Sequence, residues 1–255
     1  MKNKENKSAN VALSAQTRIA AKNTLENCRK MVMNHERKIV FFYSNPRVSN
    51  KFFEITNLSQ LNALSREMRL VMSLLNPFDF IINPATTIVN FEDTLVKYTP
   101  EIIMWSGHTL IDQLIFESED GKISQKNMNA QECIASLRKA YMNQPTRLKS
   151  IVLMACNTNK LADELCKELK VDVICWSTIT EDNAAAAFTS GIIDYMRSML
   201  DQNSKIEAEK MFQEGMKAFE EGNFQVGDPQ KQAQQGIPFP TVHGIPVHKK
   251  PLAGK

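Results

Sequence analysis

None of the nine glycines in this 255-residue chain precedes Gly107, and the next is Gly121. A Gly-rich phosphate loop or dinucleotide fingerprint after the first strand needs glycines where there are none, so nucleotide-binding classes lose their support. Long apolar runs are missing too. The longest, Ile151 to Cys156, spans six residues, against the ~20 of a membrane-crossing helix, and no membrane role is expected. The start, Met-Lys-Asn-Lys-Glu-Asn-Lys, lacks a secretory apolar core, and the five cysteines (28, 133, 156, 166, 175) are odd in number without paired spacing. Together these point to a reducing, intracellular and cytoplasmic setting. The basic, acid-poor leader would also fit an organelle presequence, although its apolar positions suit a partly buried helix as well.

A large excess of one charge sign is missing as well. Lys and Arg number 31 against 28 Asp and Glu, a net +3. Residues 1–38 hold nine Lys and Arg against three Glu, so that segment carries +6 and the remainder −3. Basicity is local, and the arm has no interleaved aromatics, which excludes a nucleic-acid-reading face. An apolar fraction of 43% can fill a sizeable core.

Strands and helices alternate along what remains. Lys38 to Ser44 reads as a buried strand leaving into Asn45-Pro46. Apolar positions 58, 61, 64, 68, 71, 72 and 75 form a helical stripe ended by Asn76-Pro77, and Phe78 to Ile82 is a second strand. Ile88 to Tyr98 is helical, and Glu101 to Ser106 is a third strand. Asp120-Gly121 between short extended runs (Leu114–Glu117 and Lys122–Ser124) indicates a hairpin after a histidine loop. Asn129 to Met142 is a helix, Ser150 to Ala155 a doubly covered strand, and Asn159 can cap a helix running to about Lys170. Val171 to Trp176 is the fifth strand, followed by a helix opened by Asp182 and another from Ile206 to Glu221. The expected architecture is α/β, a mostly parallel sheet with helices on both faces. The domain plan is a basic helical arm over 1–36, one domain over 37–225, and a tail over 226–255. That tail holds five of the ten prolines and four of the nine glycines and is expected to be irregular.

Reactive groups of an open parallel sheet gather beyond the carboxyl ends of its strands. His108 follows the third strand in Trp-Ser-Gly-His-Thr, and Cys156 follows the fourth in Leu-Met-Ala-Cys-Asn-Thr. If these strands are neighbours, the two loops converge. Imidazole beside a sulfur favours the thiolate that attacks a carbonyl, and the helix starting near Asn159 would add its positive end. His108 would protonate the departing amine, with the backbone N–H groups of Gly107, Thr109 and Cys156 as an oxyanion site. No metal or cofactor is needed. Cys133, Cys166 and Cys175 read as core residues, and His243 and His248 as solvent-exposed.

Four segments, KIVFFYSNP (38–46), EIIMWSGH (101–108), IVLMACNT (151–158) and VDVICWSTITEDNAAAAF (171–188), resemble the CHAT domain. This is a caspase-like member of the cysteine peptidases that include caspases, metacaspases and separase. The resemblance implies a three-layer caspase-like fold, a Cys156/His108 dyad and hydrolysis of peptide or protein substrates. It also implies a primary pocket shaped near Trp176, Glu181 and Asp182, where acidic groups favour Arg or Lys before the scissile bond. The competing role for Asp182 and Glu181 is a helix cap or first-turn carboxylate, and for Trp176 plain core. Thr109 stands where the family has glycine, and Asn157-Thr158 matches loosely. The alternative reading is therefore a catalytically silent interaction or regulatory module. The termini are candidate contacts for a regulatory partner.

Overall fold

The computed structural model describes residues 38–46, 61, 63–75, 79–110, 112–124, 126–237 and 241–252. The expected basic arm, with Cys28, lies outside the described residues, as does Phe78. In chain order the elements are β1 (Ile39–Ser44), α1 (Leu64–Leu74), β2 (Phe80–Asn83), α2 (Ile88–Tyr98), β3 (Ile102–Gly107), β4 (Thr109–Leu110) and β5 (Gln113–Leu114). They continue with α3 (Ala130–Ala140), β6 (Ser150–Met154), α4 (Asn159–Leu169), β7 (Asp172–Trp176), α5 (Asp182–Asp201), α6 (Ala208–Glu221), α7 (Pro229–Gln234) and β8 (Pro246–Lys249).

Local chemistry sets several boundaries. The Thr87 side chain accepts the Asn90 N–H at the start of α2, and Asn129 with Glu132 forms a reciprocal capping box on α3. Lys170 adopts a left-handed conformation (φ 58°) that closes α4 before β7. Thr158, not Asn159, occupies the N-cap position of α4, and its hydroxyl donates to the Ala155 carbonyl instead of capping the helix.

The six-stranded sheet runs β2-β1-β3-β6-β7-β8, parallel except for the antiparallel β7–β8 pair. Side chains alternate across it. Val40, Phe42, Ile103, Trp105, Ile151 and Leu153 meet α2, α3 and α4 on one face. Phe41, Tyr43, Met104, Val152, Met154 and Trp176 meet α1, α5 and α6 on the other. The result is three layers with two cores. Chain direction across the sheet reverses between β1 and β3, the switch point where α/β sheets open a crevice.

Gly107 pairs with Ser44 where β1 and β3 end. A Cβ there would stand 2.6 Å from the Ser44 carbonyl oxygen, so the strands approach too closely for any side chain. Gly107→Ala is expected to destabilise the fold by about 1–3 kcal/mol, read as a drop of several degrees in Tm; an unchanged Tm would show that the strands can separate freely.

The tail departs from the expectation of irregularity. It contributes α7 and the edge strand β8, whose four residues are too short to give a periodic signal and begin with a proline that edge strands tolerate. His248 is correspondingly not solvent-exposed: its side chain is 7% exposed and its Nε2 lies 2.8 Å from Asp172 Oδ1. His243 is mostly covered, accepting the Gln225 N–H at Nδ1 and lying 3.7 Å from Glu181. The expected turn at Asp120-Gly121 is present, closing a Glu117–Ile123 bridge, and the β4–β5 hairpin precedes it directly after His108.

Candidate active site

β3 and β6 are neighbours, with Ser106 opposite Met154 at the end of their ladder. His108 and Cys156 each lie two residues beyond that pair, so the chain reaches both at the same height above the sheet. Strand alternation assigns positions 106 and 154 to the α1/α5 face. A pocket of about 50 Å³ opens there, lined by Gly107, His108, Cys156, Trp176, Thr180 and Asp182 among others. The loops are clipped together by the Thr109 hydroxyl, which donates to the Cys156 carbonyl. Thr109 thus spans from the histidine loop to the cysteine backbone.

Past β6 the chain turns sharply. Asn157 takes a left-handed conformation (φ 53°), and its N–H donates to the Thr178 carbonyl while that of Thr158 donates to Trp176. These bonds hold the cysteine loop against the segment after β7. The Cys156 Sγ accepts the Thr180 N–H at 3.3 Å, and the thiol faces the Thr180 carbonyl at 3.8 Å.

The electrostatics of Cys156 differ from the sequence expectation. Burial pushes its thiol above the ordinary value and Asp182 pushes it the same way, outweighing the Thr180 N–H that favours the thiolate. Iodoacetamide labelling of Cys156 is therefore expected to climb about tenfold per pH unit from pH 7 to 8.5 without levelling; a plateau below pH 7 would contradict this.

Trp176 is a core residue that also borders the pocket beside Cys156. At 1% exposure it packs on Phe188 and Phe219 while lining the pocket. Asp182 is the first residue of α5 and also lines the pocket, whereas Glu181 holds the N-cap position without a cap bond, does not line the pocket, and faces His243. Cys133, Cys166 and Cys175 are buried, and burial raises the Cys133 and Cys175 thiols to about 12.

Glu67 was missed. It lies on α1 at 5% exposure, lines the same pocket, and accepts the Ser106 hydroxyl at 2.5 Å. Burial raises its carboxyl from 4.5 to about 7, opposed by Ser106 and by the more distant hydroxyls of Tyr43 and Thr189. The signal was present in the sequence: position 67 is three residues after Leu64 and four before Val71, inside the apolar stripe. Among the described residues no group of His, Cys, Asp and Glu is arranged to hold a metal ion, and no helix is long and apolar enough to cross a membrane.

No protein-family model matches the chain, and no curated protein matches it. Solved structures do. Caspase-1 from Spodoptera frugiperda is similar with a TM-score of 0.51 at 8% identity, over 86% of this chain and 88% of that one. The Arg-specific cysteine proteinase gingipain R (RgpB) is similar at 0.46 and 11% identity, over 86% of this chain and 48% of that one. The complex of the Porphyromonas gingivalis RgpB pro- and mature domains is similar at 0.42 and 10% identity, over 87% and 51%. At these identities the likeness speaks to fold alone, and only the first superposition is close enough to argue from. Covering most of both chains, and with this chain's mostly parallel sheet between two helical layers, it gives the conclusion: this chain has a caspase-like fold.

Proposed function

We propose that the protein is an intracellular cysteine endopeptidase of CHAT type. One observation carries the reading: His108 and Cys156 follow adjacent parallel strands at equal register and line one pocket. In this mechanism the resting sulfur is a thiol. His108 takes its proton as sulfur attacks the scissile carbonyl, because a buried thiol with a raised pKa needs a base at the moment of reaction. Backbone N–H groups of Gly107, Thr109 and Cys156 hold the oxyanion. His108 then protonates the leaving amine, and water hydrolyses the thioester by the reverse sequence of proton transfers.

A peptide library incubated with the full chain tests this, with new amino termini read by mass spectrometry. The proposal expects cuts dependent on Cys156 and enriched after Arg or Lys; a library left intact would overturn it. The second reading, a silent interaction module, draws on the raised thiol pKa and on the sulfur's contacts with the Thr180 backbone. It expects a peptidyl thiol probe to show no preference for Cys156. In either reading the basic arm over 1–36 recruits a protein partner.

A further inference from the structure

The α1 carboxylate in the pocket wall is the least expected group in the molecule. A buried carboxylate is normally offset by a cation, yet among the described residues no Lys or Arg lines this pocket. The hydroxyls of Ser106 on β3, Tyr43 on β1 and Thr189 on α5 surround Glu67, and His108, Asp182 and Cys156 line the same pocket. Two residues that line the pocket, Trp176 and Thr180, carry a polar atom, Nε1 and Oγ1, that is buried without a hydrogen-bond partner. Buried polar atoms left unpaired beside a reactive sulfur are groups a ligand would satisfy. The remaining wall is apolar: Leu61, Leu64, Met154, Ala155 and Ala185. With about 50 Å³ of free space the pocket suits the end of one unbranched chain better than a ring.

We propose that Glu67 is the specificity-determining residue of this pocket, accepting the guanidinium or ammonium of a substrate's basic side chain, with Asp182 adding charge and Trp176 offering its ring. The proposal rests on the peptidase reading for the word substrate, but cation binding itself does not require hydrolysis. A cation stabilises the ionised carboxylate that burial disfavours, so binding releases a proton from Glu67.

The test is titration of the full chain with n-butylguanidine, with n-pentanol as the uncharged control, followed by NMR at pH 6, 7 and 8. Wild type is expected to bind n-butylguanidine about tenfold more tightly at pH 8 than at pH 6, and n-pentanol not measurably. Glu67→Gln should bind it at least about tenfold more weakly at pH 8 and lose the pH dependence. His108 also titrates in this range and faces the pocket, so His108→Ala must keep the slope, as must Asp182→Asn. Should Glu67→Gln fail to fold, the wild-type, His108→Ala and Asp182→Asn slopes decide alone. The wild-type chain separates the two readings: saturable guanidine binding in a wild-type protein that cuts no peptide sinks the peptidase and leaves the cation site standing, whereas Cys156→Ala should bind the guanidine as wild type does. Unchanged affinity in Glu67→Gln, equal affinity for n-pentanol, a slope lost with His108, or no saturable binding would overturn the proposal.

Discussion

Cys156→Ala and His108→Ala are each expected to lower peptide hydrolysis by about 10⁴-fold or more, while Tm stays within a few degrees of wild type. The separation of effects follows from position. Both residues follow the last paired residues of β3 and β6, so neither truncation removes a ladder bond or a large core side chain. The double variant should be no slower than the worse single one, because the two groups act in one proton-coupled attack. Additive losses would mean that they act separately. Hydrolysis within tenfold of wild type in either single variant would remove that residue from the mechanism.

Glu67→Gln is expected to reshape stability against pH. In the unfolded chain this carboxyl titrates near 4.5, and in the folded protein near 7. Between those values the folded state keeps a proton that the unfolded state has lost, so stability falls as pH rises through the window. At about 1.4 kcal/mol per pH unit the full loss is about 3.5 kcal/mol, about 2.5 kcal/mol of it between pH 5 and pH 8. Glutamine carries no such charge. Urea unfolding at pH 5, 6, 7 and 8 should show wild type losing about 2.5 kcal/mol more than the variant over that range. Parallel stability profiles would mean that the Glu67 carboxyl titrates alike in the folded and unfolded states, contradicting the raised pKa.

Much of the architecture was legible because its signals are periodic and long. Strands such as Ile39–Ser44 and Ser150–Met154 are apolar on both faces and read as buried parallel strands. The adjacency of β3 and β6 was only a condition in the sequence, since pairing order is a property of the whole sheet. β8 escaped because four residues at a sheet edge need no apolar run, and His248 was misread with it. The Cys156 environment was misjudged for a different reason. The helix end and the imidazole were visible in the sequence, but the burial and the Thr180 contacts that govern the thiol come from a loop twenty-four residues away. In the sequence Thr109 was only a threonine where the resembled family has glycine, whereas its hydroxyl ties the histidine loop to the Cys156 carbonyl. Glu67 could have been found by asking why a carboxylate interrupts the buried stripe of an amphipathic helix.

The central claim is that one thiol among several is aimed at by one imidazole. Treating the full chain with a peptidyl acyloxymethyl ketone carrying lysine next to the reactive group, and mapping the adduct by tandem mass spectrometry, tests it most directly. The account predicts a single adduct on Cys156, absent in His108→Ala. Labelling spread over Cys133, Cys166 and Cys175, or equal labelling of Cys156 without His108, would contradict it.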